Sequence, residues 1–330
     1  MTRFACLFLI AVACLAATLL AQLCVGPFGV GGHALLDALT DPASPDRFAV
    51  VTLGLPRYAV GALAGAALGA SGAIFQTVTR NPLASPDVLG FGAGSATGAI
   101  VAMIVSRGEP VSASVMAVAG GLLAAAAVYG CAGGLRGSPR RLILAGIMMS
   151  ALLSAVNGCL LTNTDVQDTQ VVLAWLSGSL NAASSRDVPG LAAVLAVLIA
   201  LCMLRRRSFA LVEYDDDIVT ALGARPGPQR ASWVVLGVLL VAIATAVTGP
   251  ISFVALAAPH IARRLRNGTR ADVLTPAWTG AVLVTGCDAV AANALPVHPP
   301  VGIVTGALGG LYLLTLLLRP DSRAANTQPG

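Results

Sequence analysis

The stretch Leu55 to Gly98, LPRYAVGALAGAALGASGAIFQTVTRNPLASPDVLGFGAGSATG, carries an apolar helix into a polar, proline-marked turn and back into apolar sequence. Gly61, Gly65 and Gly69 recur every fourth residue, and Gly90, Gly94 and Gly98 repeat the spacing. At that period one face of each helix carries no side chain, so a neighbouring backbone can approach closely. Helix packing alone does not account for Arg80-Asn81-Pro82-Leu83-Ala84, followed by Pro86 and Leu89-Gly90. A membrane helix that ends in such a turn serves a pathway or a partner.

The rest of the chain has the same character. Of 330 residues, 56% are hydrophobic and 11% charged, with mean hydropathy +0.83. A soluble domain carries about 25% charged residues, so this is a polytopic membrane protein of the all-α class. A span needs about 20 apolar residues to cross about 30 Å of hydrocarbon. Apolar runs fall near 4–25, 57–78, 88–106, 111–132, 142–163, 188–204, 231–248, 251–264, 273–295 and 300–318, which predicts about ten transmembrane helices within a single transmembrane domain, 1–320. The first run is longer than a signal-peptide core and lacks a convincing cleavage site, so it reads as an anchor. The run 251–264 is too short to cross straight, and Gly249-Pro250 ahead of it breaks any continuous helix. A bent or re-entrant element is expected there, sheltered by protein or by a cavity. The tail 321–330 reads as disordered and cytoplasmic.

All 20 basic residues are arginine. With the N-terminus in the cytoplasm, only Arg47, Arg57, Arg107 and Arg186 face outward, so the positive-inside rule places both termini in the cytoplasm. The outside segments 26–56 and 164–187 suit surface elements, with a short interfacial helix at 34–39 and an amphipathic turn around Trp175. Without lysine the chain cannot supply a phosphate-binding P-loop, so any ATP is hydrolysed by a partner. The chain itself is expected to bind no cofactor. Its seven cysteines are scattered singly and read as small buried hydrophobes, and its three histidines are too dispersed for a metal site within one subunit. A net charge of +5 suits membrane lipid and suggests no nucleic acid.

Further segments follow in order: Leu144-Ala145-Gly146, Trp175-Leu176-Ser177-Gly178-Ser179-Leu180, Ala221-Leu222-Gly223, Gly249 to Val254 (GPISFV), Pro259-His260-Ile261-Ala262-Arg263 and Pro300 to Thr305 (PVGIVT). Together with Leu55-Pro56-Arg57 and the turn at 80–90, this ordered set resembles the FecCD/BtuC-type permease family, which carries iron-siderophores, haem and cobalamin through bacterial ABC importers. The resemblance covers nearly the whole chain. It implies a BtuC-like permease with inverted-repeat halves. The implied partners are ABC ATPase subunits, an extracytoplasmic substrate-binding protein and a second permease subunit, and the implied substrate is an iron-siderophore, with haem or cobalamin the alternative within the family. The implied place is the cytoplasmic membrane, and the chain is not an enzyme.

Three regions are candidate sites. In RRRSFALVEYDDDIVTALGARPGPQR, 205–230, apolar clusters alternate with acids as in two short helices lying at the membrane face, with the acids at a helix start and Gly223 at its end. In the resembled family this loop docks the ATPases, which singles out Leu211, Asp217, Ala221, Leu222 and Gly223. A solvated connector is the plainer alternative. The family also grips its binding protein with arginines at the outward end of the second span. Here Gly54-Leu55-Pro56-Arg57 retains only Arg57, and a further family arginine falls on Ala292. Arg47 or His298 is a candidate to compensate, as is a different partner permease, and the loss leans towards a heterodimer over a homodimer. A headgroup anchor is the plainer reading of Arg57. The turn Arg136 to Arg141 occupies the position of the family's inner gate, making Ser138 and Arg140 candidates, although a charged turn is first a topology signal. Gln76, Thr77, Asn81 and Pro82, with Asn157 and Asn293, are candidates for the translocation path, because polar groups at membrane depth face a bundle interior or water unless they bond a neighbouring helix. An ion-coupled transporter would need a buried acid inside a span, and Asp288 is the one acid that qualifies.

Overall fold

In a computed structural model of the chain, residues 2–24, 30–106, 110–134, 137–162, 166–266, 271–294 and 298–318 are described, and every regular element among them is helical. Fourteen α-helices follow in order: α1 Thr2–Cys24, α2 Gly32–Thr40, α3 Leu55–Thr79, α4 Phe91–Ser106, α5 Pro110–Cys131, α6 Pro139–Thr162, α7 Val166–Leu176, α8 Asp187–Leu204, α9 Arg206–Val212, α10 Asp216–Ala221, α11 Pro226–Thr248, α12 Val254–Arg266, α13 Leu274–Asn293 and α14 Val301–Leu317. Each of the ten apolar runs appears as a helix. Six stretches, 6–24, 48–79, 113–131, 139–162, 187–204 and 226–248, are long and apolar enough to cross a bilayer, and Phe91–Val105 and Val301–Thr315 are shorter apolar helices. The remaining short helices are α2 over the predicted interfacial segment, α7 beside Trp175, and α9 and α10 in the loop 205–230.

The bundle is built around α3, which packs on α13, α11, α12 and α8. Its glycines explain that centrality. A Cβ on Gly65 would sit 2.8 Å from the carbonyl carbon of Gly280, and one on Gly69 would sit 2.8 Å from that of Pro276, so α3 and α13 touch backbone to backbone. A second seam joins α4 to α5, where a Cβ on Gly98 would lie 2.7 Å from the carbonyl carbon of Met116. Between the seams the core is filled by large side chains, among them Phe75, Phe91 and Trp233, all fully buried. The Phe75 and Phe91 rings are tilted with centroids 5.1 Å apart. By contrast, α6 exposes Leu144, Ile147, Met148 and Leu152, and α14 exposes Ile303, Leu308, Leu311 and Leu314.

Three expectations need correction. The second span does not begin at 57: Phe48–Gly54 forms a π-helical turn that runs directly into α3. Pro56 lacks an N–H and cannot close an ordinary i→i−4 bond, while the Leu55 N–H reaches Val50 O in the wider π pattern. The cysteines are not uniformly buried. Cys202 and Cys287 are, but Cys6, Cys131 and Cys159 lie on outward helix surfaces, where lipid is as apolar as a protein core. The short element near 251–264 is shifted to Val254–Arg266, about 20 Å long at 1.5 Å per residue. It follows an irregular stretch in which Gly249 and Phe253 both have positive φ, of 69° and 67°. The tail 321–330 and Arg136 lie outside the described residues.

Candidate functional site

The structure brings distant motifs together in pairs. Leu89-Gly90 meets Leu144-Ala145-Gly146: a Cβ on Gly146 would lie 2.8 Å from Leu89 Cα, so α6 lies directly on the turn after α3. At the opposite end three motifs are stitched through Gly178, whose φ is +66°. The Ser179 N–H donates to Thr248 O at 2.8 Å, and the Gly302 N–H donates to Gly178 O at 3.0 Å. A side chain on Gly178 would put its Cβ 3.0 Å from the Pro250 carbonyl carbon.

The loop 205–230 forms two short helices joined by a tight acidic connection. Phe209 of α9 is buried and packs against Trp233 of α11 with the rings tilted by 45° and centroids 4.5 Å apart, which anchors the loop in the core. Asp216 and Asp217 occupy the first turn of α10, where the helix dipole favours negative charge. Past its end Gly223 adopts φ +78°, a conformation open to glycine at little cost. Val219 faces inward, whereas Ile218 and Leu222 are 47% and 63% exposed and Asp217, Ala221 and Gly223 lie on the same open surface. Leu211 is half-buried.

Behind that surface lies an ionic cluster. Arg80 ends α3 in the left-handed region, φ 51°, with its N–H donating to Thr77 O and the Asn81 N–H donating to Gln76 O, an αL cap built on arginine. This conformation aims the guanidinium at α10, where Nη1 donates to Asp215 at 2.8 Å, Nη2 to Asp216 at 3.0 Å, and Nη2 also to Tyr214 O. From near the start of α11, Arg230 donates to the same Asp216 oxygen at 2.5 Å and to Gly137 O at 2.7 Å. Burial alone would raise the Asp216 carboxyl, but hydrogen bonds and charge from Arg230 and Arg80 hold it below the ordinary carboxylate range. In Glu213, nearby, burial outweighs a backbone hydrogen bond from Ala271 and the charge of Arg263, and the carboxyl is pushed up.

The turn after α3 is fixed on a second side by α12. Asn81 Oδ1 accepts the Leu83 N–H at 2.9 Å, closing the turn on itself. Pro82 O lies 2.9 Å from His260 Nε2. Gln76 is buried; its Nε2 donates to Leu256 O at 3.1 Å and its Oε1 accepts from Arg263 Nη2 at 2.7 Å. Gln76 thus cross-links α3 to α12. Asn157 does the same between α6 and α4, through Thr97 at 2.7 Å and Ala93 O at 3.3 Å. Thr77 and Asn293 bond back to their own helices. Ser138 and Arg140 are both exposed at the start of α6, where Ser138 Oγ accepts the Arg141 N–H at 3.4 Å.

At the opposite end, Arg57 does not stand free. Its Nε and Nη2 donate to the two oxygens of Asp288 at 2.8 and 2.7 Å, and Nη1 donates to Asn181 at 2.8 Å. Asp288 is fully buried and also accepts from Gln22 Nε2 at 2.5 Å. Asp288, the acid that the sequence offers for an ion-coupling site, is therefore held in a bidentate pair. Gly54 and Ala292, where the family's other arginines would fall, are buried.

Sequence reading singled out Asp217, Leu222 and Gly223 but passed over Asp216, Arg230 and Arg263, which make the contacts. A usable signal was present: three consecutive acids in a chain whose only cations are arginines require partners, and Arg230 lies near them in sequence.

With this geometry in place, the comparisons with known proteins agree. A family model described as the FecCD transport family matches residues 14–319. The ferric enterobactin transport system permease protein FepG of Escherichia coli (strain K12) is 39% identical over 82% of this chain and 82% of its own length. The achromobactin transport system permease protein CbrC of Dickeya dadantii is 34% identical over 92% of this chain and 88% of its own. The cobalamin import system permease protein BtuC of Halobacterium salinarum is 33% identical over 83% and 74%. A solved structure of a metal-chelate type ABC transporter in an inward-facing conformation shares the fold, with TM-score 0.82 at 24% identity over 96% of this chain and all of that one. These relatives are transport permease subunits, not enzymes. The ordered motifs, their pairing in space and a family match over almost the full length establish that the chain belongs to the FecCD transport family, as a membrane-embedded permease.

Proposed function

We propose that this chain is the permease subunit of a binding-protein-dependent ABC importer that moves a ferric siderophore across the cytoplasmic membrane, with both termini in the cytoplasm. ATP is hydrolysed by partner subunits that seat on α10. The observation that carries this reading is the surface of that helix: Ile218 and Leu222 are exposed side by side on an element that Phe209 and Asp216 hold firmly to the bundle. A solvated connector has no need of exposed apolar residues on so well-anchored a turn, whereas a docking knob does. The iron-chelate cargo is supported by relatives named for ferric enterobactin and achromobactin. The binding protein docks at the end carrying Arg57, which contributes only through the part of its guanidinium that Asp288 leaves accessible, 21% of the side chain. With Gly54 and Ala292 in place of arginines, the clamp is weaker than in the family pattern, and this favours pairing with a second, different permease.

The test is Leu222→Asp in the permease co-expressed with its ATPases. The variant inserts normally, loses most of the co-purifying ATPase and hydrolyses ATP without stimulation by the binding protein. Full subunit retention and normal stimulation would remove α10 from the docking surface. Uptake of ferric enterobactin, ferric achromobactin, ferric citrate and cobalamin, compared in one strain, assigns the cargo class.

A further inference from the structure

Resting on the importer reading, we propose that Asp216 is a positioning residue that ties the ATPase-docking helix to the two turns at the base of the bundle, so that displacement of α10 is transmitted to them. The geometry is a three-way junction. One Asp216 oxygen receives both Arg80, which caps α3 and opens the turn 80–90, and Arg230, the fifth residue of α11. Arg230 in turn holds Gly137 O, two residues before α6. Neither guanidinium is an ordinary surface cation: the Arg230 side chain is 6% exposed and Arg80 27%. Arg80 adopts a backbone conformation that L-residues with a Cβ avoid, and that conformation directs its side chain to α10. Arg230 Nε and Gln229 Oε1 are buried without a protein partner and flank the small cavity between α9, α10 and α11. Leu211, Val212, Val219 and Pro226 line the same cavity, so the polar groups of the junction are set against an apolar wall. Asp216 itself remains 45% exposed, next to the proposed docking face, where a seated partner would desolvate it further.

A docking residue and a junction residue behave differently, and that difference is the test. In the isolated permease, Asp216→Asn should raise backbone hydrogen exchange in 80–84 and 137–142 by about three- to tenfold, the scale of one ordinary net hydrogen bond, since Asn keeps an acceptor at this partly exposed site. Asp217→Asn, at an exposed neighbour in the same helix turn, should leave exchange in both turns unchanged. In the complex, Asp216→Asn should keep its ATPases and hydrolyse ATP but lose stimulation by the binding protein, and Asp216→Glu should restore part of it. Arg230→Gln reaches the junction from the other side. It should reproduce the loss and add nothing further when combined with Asp216→Asn. Unchanged exchange, retained stimulation, or additive effects of the two substitutions would overturn the proposal. Loss of the ATPases from the Asp216→Asn complex would overturn it too, by making Asp216 a docking contact. If the unsubstituted complex shows no binding-protein stimulation at all, it is the importer reading that fails; the exchange experiment still decides the junction.

Discussion

Replacing Arg57 with methionine removes a charge from a position where its partner cannot find another. Asp288 is fully buried, and Arg57 meets both of its oxygens at 2.7 to 2.8 Å. At 2.7 Å the pair attracts by roughly 6 kcal/mol for an effective dielectric of about 20, and most of this offsets the cost of taking the carboxylate out of water. Arg57→Met keeps the packing of the stem but leaves Asp288 with Gln22 as its remaining side-chain donor. Breaking a buried pair from one side costs about 3–5 kcal/mol; because Gln22 remains, the lower end, about 3 kcal/mol, is expected. Asp288→Asn should cost less, because the orphaned guanidinium is 21% exposed and can turn to water. The double variant Arg57→Met with Asp288→Asn should then be more stable than the sum of the single losses by at least about 1.5 kcal/mol. Denaturant titration of the purified permease in detergent measures all four forms. A loss below about 1 kcal/mol for Arg57→Met, or simple additivity, would refute the claim that Arg57 serves first as the counter-charge of Asp288.

Gly65→Val should prevent stable accumulation of the permease, because its Cβ meets the Gly280 backbone, whereas Gly158→Ala, with open space around it, should be neutral; membrane abundance and thermal unfolding of the two compare them directly. The Asp216 carboxyl lies below its ordinary pKa in the folded protein, so its contribution to stability is present above the unfolded value and is lost as pH falls through the folded one. The stability difference between the natural chain and Asp216→Asn should accordingly stay constant from about pH 8 to pH 5 and shrink only below about pH 4, the ordinary aspartate range. A difference that vanished near neutrality would contradict the ionic junction.

The helices were legible because membrane insertion demands long apolar runs, and the glycine spacing of Gly65 and Gly69 foretold a close crossing whose partner, Gly280, stands far away in sequence. The break at Gly249-Pro250 and the paired short helices in 205–230 were likewise written in local chemistry. What could not be read was partnership. Gln76 is equally polar whether it lines a path or bonds Leu256 O, and only the position of α12 decides. Arg57 carries the same charge free or paired, and its pairing depends on Asp288, which is 231 residues away. The π turn at Phe48–Gly54 escaped for a different reason: apolar residues ahead of Pro56 read as a helix boundary, and the wider hydrogen-bond pattern that lets the helix pass a proline leaves no compositional trace.

The two glycine seams also limit how this molecule can move. Where α3 meets α13 at Gly65 and Gly69, and α4 meets α5 at Gly98, main chain lies on main chain, so these crossing points have no rotamers to exchange. Each pair is a rigid block. Any rearrangement that opens one end of the bundle and closes the other must be absorbed outside these seams, for instance at the broken backbone between Gly249 and Phe253. A substitution that stiffens or loosens that break would alter the rate of switching, while one in a seam would dismantle the block that has to be switched.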